Sequence, residues 1–271
     1  MQGLDKFRDY MSGFRSHYVV IGGLAMVLTL EDRGLPARAT KDVDMIIICQ
    51  PETKFYMKRF WDFIKAGGYK LWKTDDMEET RPCFYRFVKP ESRDFPSQIE
   101  LFSKVPEYVE VPDDVHIVHI PMEDYTSSFS AIIMDEAYYD FAISHSQIVD
   151  DLRILNAEAL IVLKAVAYME NLRRKEAGIA VDQKNIDKHK KDIYRLAYVF
   201  DGSERFEVND TIKEQLRAFV SEVEKNPIDG KNMLRGQAIP PMPMTEFTEL
   251  LNSIFNYYCP LNLNPRSEPA L

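Results

Sequence analysis

Residues 18–25 read Tyr18-Val19-Val20-Ile21-Gly22-Gly23-Leu24-Ala25, and residues 38–49 read Arg38-Ala39-Thr40-Lys41-Asp42-Val43-Asp44-Met45-Ile46-Ile47-Ile48-Cys49. A short β-branched run feeds a glycine pair, and the pair opens a helix over Leu24 to Leu30. The loop Arg33-Gly34-Leu35-Pro36 leads to a second strand, Val43 to Cys49, apolar at every position but Asp44, as in a strand covered on both faces. Asp42 and Asp44 head that strand. Side chains two apart on an extended chain share a face, so the two carboxylates lie together and repel. One is pushed toward protonation unless a cation sits between them. Mg²⁺ or Mn²⁺ suits such a site, since these ions prefer carboxylate oxygen, and Mg²⁺ takes few protein ligands beside substrate phosphates.

Working outward, Gln98-Ile99-Glu100-Leu101-Phe102 is a strand whose apolar run is interrupted by one acid. Glu100 there either faces solvent or joins the aspartates as a third metal ligand. Gly22 and Gly23 allow a ligand close to the backbone, and the helix after them presents free N–H groups and a positive dipole end, a site for phosphate. A phosphate seat beside a metal-binding strand implies a nucleoside triphosphate (NTP). Alone, a Gly-Gly turn or an Asp-x-Asp pair is more often a plain turn or a solvated loop. Their order and spacing favour the functional reading.

The rest of the chain supplies the scaffold. Apolar residues at helical spacing predict helices over Leu4 to Arg15 and Lys54 to Ala66, the second ended by Gly67-Gly68. Tyr69–Trp72, Phe84–Val88 and Val115–Ile120 complete a small mixed sheet. Ala131 to Met134 and Tyr138–Ile143 read as a hairpin joining two halves. Helices follow over Ala157 to Arg174, Asp187 to Phe200, Thr211 to Lys225 (capped by Asn209) and Thr245 to Tyr258, with an extended Ile239-to-Met244 linker before the last. The expected organisation is a catalytic core over 1–125, a connecting segment over 126–155, a helical domain over 156–259 and a loose tail over 260–271. The fold class is α+β or α/β.

Composition narrows the function classes. A formal charge of −9 argues against a protein that grips extended DNA with its whole surface. Cys49, Cys83 and Cys259 are odd in number and far apart, forming neither a disulfide framework nor a zinc pattern, as in a reducing cytoplasm. No stretch reaches the ~20 apolar residues that span a bilayer, and no signal-peptide core is seen. His116 and His119, three apart on a strand, point to opposite faces and do not bind metal together. No Ser, His and Asp grouping carries a nucleophile turn.

The pattern Gly22-Gly23-x-Ala25, then Arg38-x-Thr40-Lys41-Asp42-x-Asp44, resembles the polymerase-β-type nucleotidyltransferase superfamily, and in particular the AbiEii-like enzymes of type IV toxin–antitoxin systems. The resemblance covers roughly residues 15–105. It implies a nucleotidyltransferase-type mixed sheet with flanking helices, followed by a helical domain that closes over the nucleotide. It also implies NTP and Mg²⁺ as substrate and cofactor, a tRNA end or a protein as acceptor, and an antitoxin partner. Carried over by residue, Asp42, Asp44 and Glu100 are metal ligands, with Glu100 nearest the acceptor hydroxyl. Gly22 and Gly23 seat phosphate, and Arg38 and Thr40 join them in binding the nucleotide. Lys164 holds the triphosphate, Asp192 supports the site or the base, and Lys191 adds a phosphate contact.

Two departures stand out: Gly23 occupies a position that is Ser in many members, and Glu100 one that is commonly Asp. Read without the resemblance, Lys164 is a lysine snorkelling from an apolar helix, and Arg38 pairs with Asp42 or touches phosphate. The basic stretch Lys184 to Lys191, with Arg173 and Arg174, is a solvated helix face or an RNA-docking surface. A small-molecule nucleotidyltransferase and a non-catalytic nucleotide-binding module are the alternatives to a toxin-like enzyme.

Overall fold

The computed structural model describes residues 1–48, 53–71, 85–104, 117–120 and 129–256. The three cysteines, Trp72, Phe84, Val115, His116, Tyr258 and the tail 260–271 lie outside the described residues. In chain order the elements are α1 (Leu4–Met11), β1 (Tyr18–Ile21), α2 (Gly22–Asp32), β2 (Asp42–Ile47), α3 (Thr53–Gly67), β3 (Lys70–Leu71), β4 (Arg86–Val88), β5 (Gln98–Ser103), β6 (Ile117–Ile120) and β7 (Phe129–Ile133). There follow α4 (Glu136–Ser144), β8 (Ser146–Val149), β9 (Leu152–Leu155), α5 (Ala157–Glu176), α6 (Gln183–Leu196), α7 (Asp210–Lys225), α8 (Gly230–Met233) and α9 (Met244–Ile254). The architecture is mixed α/β.

The strands form one mixed sheet in the order β3-β4-β5-β2-β1-β9-β8, with β7 pairing both β5 and β6. The centre explains the sequence pattern. β2 runs antiparallel to β1 and parallel to β5, and Val43, Met45, Ile46 and Ile47 are all fully buried. On α3, the Tyr56 hydroxyl meets Met45 Sδ at 3.1 Å. α3 therefore covers the face that carries Met45, and Asp42 and Asp44 lie on the other. That covered face holds an aromatic core in which Phe7 of α1, Tyr18 of β1 and Tyr56 and Phe63 of α3 stack or meet edge to face. α2 packs on β2 and α5, and α5 in turn packs on α6 and α7.

One expected element is of a different type. Tyr138–Ile143 reads as a strand from its aromatic and β-branched residues, but it lies in α4. Asp135 caps that helix, its carboxylate accepting a bond from the Ala137 N–H at 2.8 Å. The hairpin lies further on, as β8 and β9. Asp150 and Asp151 take positive φ at its turn (51° and 66°), and β9 joins the main sheet parallel to β1. The linker before α9 is extended, as its prolines suggest, and Tyr194 and Tyr198 pin it by hydroxyl contacts to Pro240 and Met242. No helix among the described residues is long and apolar enough to cross a membrane.

Candidate functional site

The site lies where β1 turns into α2. Gly22 has φ +66°, and a Cβ there would stand 2.2 Å from Asp44 Oδ2. Both features demand glycine. A Cβ on Gly23 would stand 2.7 Å from Thr40 Oγ1 and 3.8 Å from an Arg38 guanidinium nitrogen. The first turn of α2 holds no acid and no side chain caps it, so its N–H groups stay open toward the strand that bears the aspartates. Asp44, Thr40 and Arg38 thus crowd the glycine turn, and Asp42 lies two residues before Asp44 on the same strand face.

Strand register brings in Glu100. Ile21 of β1 opposes Asp44, and Asp44 stands beside Glu100 across the parallel β2–β5 pair. Burial, then the charges of Glu100 and Asp42, push the Asp44 carboxyl up to about 7, against the pull of Lys188 and Lys164. A cation placed here would relieve that strain, and the donor set is all carboxylate oxygen, which suits Mg²⁺ or Mn²⁺. Glu100 already has a charged neighbour. Arg86 faces it across the β4–β5 pair, and the two form an ion pair. Among the described residues no three acidic, His or Cys side chains are gathered into a ready metal cage.

A second cluster joins the glycine turn to the C-terminal helices. Asp192 of α6 is fully buried. Its carboxylate accepts two bonds from Arg38, Nε at 2.9 Å and a terminal nitrogen at 3.0 Å, and one from Lys164 Nζ of α5 at 2.8 Å. Arg195 stands 3.7 Å away. Burial by itself would raise this carboxyl, but the Lys164 charge and the Arg38 bonds outweigh it and hold the group at about 2. A carboxylate so held stays ionised near neutrality. Lys164 is buried rather than snorkelling. Burial pulls its pKa down, and Asp192 opposes this. Arg38 pairs with Asp192 and not with Asp42.

The structure separates one proposed contact from the site. Lys191 is exposed and adjoins Asp192 in sequence, so the helix turns it off the Asp192 face. The lysine of α6 whose charge reaches both Asp44 and Lys164 is Lys188, one turn before Asp192. Arg86 was not singled out from the sequence, and Lys188 only as a member of the basic stretch. The helical spacing of Lys188 and Asp192 was a usable signal, whereas the Arg86–Glu100 pairing needs the strand register. In the basic stretch, Lys190 bonds the Asn226 carbonyl and Arg173 pairs with Glu170, so those charges are partly spent within the fold. Next to Asp42 opens a cleft of about 990 Å³ whose lining includes Lys41, Lys70, Lys89 and Arg93.

No family model and no curated protein matches the chain. Among solved structures, the crystal structure of JHP933 from Helicobacter pylori aligns over 93% of this chain and 88% of that one, at 13% identity and a TM-score of 0.37.

Proposed function

We propose that this chain is a metal-dependent nucleotidyltransferase that moves a nucleoside monophosphate from an NTP to a hydroxyl acceptor, releasing pyrophosphate. The observation that carries the reading is that Asp44 stands beside Glu100 and itself lies against the uncapped, glycine-opened start of α2. Asp42, Asp44 and Glu100 would hold Mg²⁺ or Mn²⁺, which when bound supplies charge to the phosphates and lowers the barrier to attack by a hydroxyl. Glu100 would exchange its contact with Arg86 for the ion. The N–H groups of Gly22 and Gly23 and the α2 dipole seat a phosphate. Arg38 and, from the far half of the chain, Lys164 add positive charge, both held in direction by Asp192. Much of the rate enhancement would come from this positioning and fixed charge.

The acceptor reading follows the cleft beside Asp42. The four cations among its described lining residues favour a phosphate-bearing acceptor, such as a tRNA end, over a protein side chain. They repel a polycationic aminoglycoside-like compound, the small-molecule alternative. A toxin-like role with an antitoxin partner rests on the sequence resemblance. The test is transfer of label from each of the four α-labelled NTPs, with Mg²⁺, to bulk tRNA, to the protein itself and to small acceptors. Label in RNA that disappears in Asp44→Ala is the expected result. Absence of transfer, of self-labelling and of metal-dependent NTP binding would sink the enzyme reading, and NTP binding alone would leave the non-catalytic module.

A further inference from the structure

α2 begins at the glycine turn and ends, at Asp32, on a second crevice. This cavity, of about 250 Å³, lies between the end of α2, the start of α5 and the segment that follows α6. Its size falls just below the ~300–1,000 Å³ usual for ligand pockets, so it suits a small molecule.

Its walls carry acceptors that lack donors. Glu158 is 6% exposed, and its carboxylate takes one bond, from Asn156 Nδ2 at 3.0 Å. No ion pair reaches Glu158 among the described residues. The positive end of α5 offsets part of the cost of burying it, but a buried carboxylate generally requires a cation or further donors. Asn156 stands at the N-cap of α5 yet makes no side-chain cap. With its amide nitrogen turned to Glu158, its Oδ1 is buried without a partner. Thr29 is 4% exposed, and its Oγ1 is likewise unpartnered. α2 ends here with no basic residue in its last turn, so its negative pole is uncompensated by its own side chains.

Asp32 and Glu204 add two more carboxylates to the lining, against Arg33 as the one cation among the described lining residues. Phe200 and Phe206, edge to face at 5.7 Å, supply an apolar wall. Unmet acceptors, excess negative charge and an aromatic wall call for N–H donors and positive charge on a short hydrocarbon body.

We propose that this crevice is a second binding site, separate from the glycine turn, for a small ammonium-bearing molecule of the diamine class. Glu158 takes the ammonium, and Thr29 and Asn156 accept its remaining N–H groups. The test is calorimetric titration of the full chain with 1,4-diaminobutane and with its neutral counterpart 1,4-butanediol, at moderate and at high salt. Heat is expected from the diamine and not from the diol. Glu158→Gln and Thr29→Val, both near-isosteric, should each weaken diamine binding roughly tenfold to a hundredfold. Asp42→Asn should leave it unchanged, which separates this crevice from the carboxylates of the nucleotide site. Far-ultraviolet circular dichroism establishes that each variant is folded. If Glu158→Gln fails to fold, Glu204→Gln serves in its place. Equal heat from the diol, undiminished binding in these variants, or loss of all binding at high salt would each overturn the proposal.

Discussion

Replacing Asp44 by Asn should stabilise the metal-free protein while abolishing its proposed activity. Burial, then Glu100 and Asp42, push the Asp44 carboxyl from its ordinary 3.8 up to about 7. The folded chain therefore keeps this proton longer than the unfolded chain does. Stability falls as pH rises from about 4 to about 7 and levels off above. At about 1.36 kcal/mol per unit, ionising Asp44 in the fold costs on the order of 4 kcal/mol, trimmed to about 2–4 because the side chain keeps some access to water. Asn has no proton to lose and nearly the same shape.

In chelator at about pH 8, Asp44→Asn should then melt roughly 5–15 °C above the parent, given ~2–4 °C per kcal/mol for a chain of this size. By about pH 5 less than half of the advantage should remain. Mg²⁺ should raise the parent's melting temperature and leave the variant's almost unmoved. Calorimetry at both pH values, with and without Mg²⁺, reads all of this. A variant less stable than the parent at the higher pH in chelator, or an advantage independent of pH, would refute the reasoning.

Three further outcomes follow from the same geometry. Gly22→Ala and Gly13→Ala both place Ala at positive φ (+66° and +84°), but only at position 22 does the new Cβ meet Asp44, at 2.2 Å. Each should lose about 1–2 kcal/mol by urea unfolding. Gly22→Ala should lose a further ~1–3 kcal/mol and its metal-dependent NTP binding, which Gly13→Ala keeps. Asp192→Asn strands buried Lys164 and its neighbour Arg38, and should cost about 3–5 kcal/mol near neutral pH. Because the carboxyl is held at about 2, that contribution is present above about pH 4 and lost as pH falls toward 2; adding Lys164→Met should restore part of it in neutral urea melts. Apparent Mg²⁺ affinity, measured by titration calorimetry, should rise roughly tenfold between about pH 6 and 8, as Asp44 loses its proton, and flatten above.

Much of the scaffold was legible because it rests on local rules. Tyr18–Ile21, the glycine turn and the strand after Asp42 follow from β-branched runs and chain alternation, and Glu100 showed as one acid in an apolar strand. α4 was missed because Tyr138–Ile143 has strand-like composition, while the signal that decides it, the Asp135 cap, lies just outside that run. The ion cluster was beyond reach for a different reason. Arg38 and Asp192 are 154 residues apart, and nothing local to either marks the other.

The sequence by itself determined which groups are available: a glycine pair ahead of a helix, two acids on one strand face, a third acid on another strand, and a lysine and an aspartate on later helices. These are properties of neighbouring residues, set by backbone sterics and the two-residue repeat of a strand. Only the tertiary structure decided what each group touches. Parallel register set Asp44 beside Glu100, antiparallel register set Glu100 against Arg86, and helix packing buried Asp192 between Arg38 and Lys164. Charges act across space rather than along the chain. Whether an aspartate sits near 7 or near 2 is therefore settled by which distant segments fold against it.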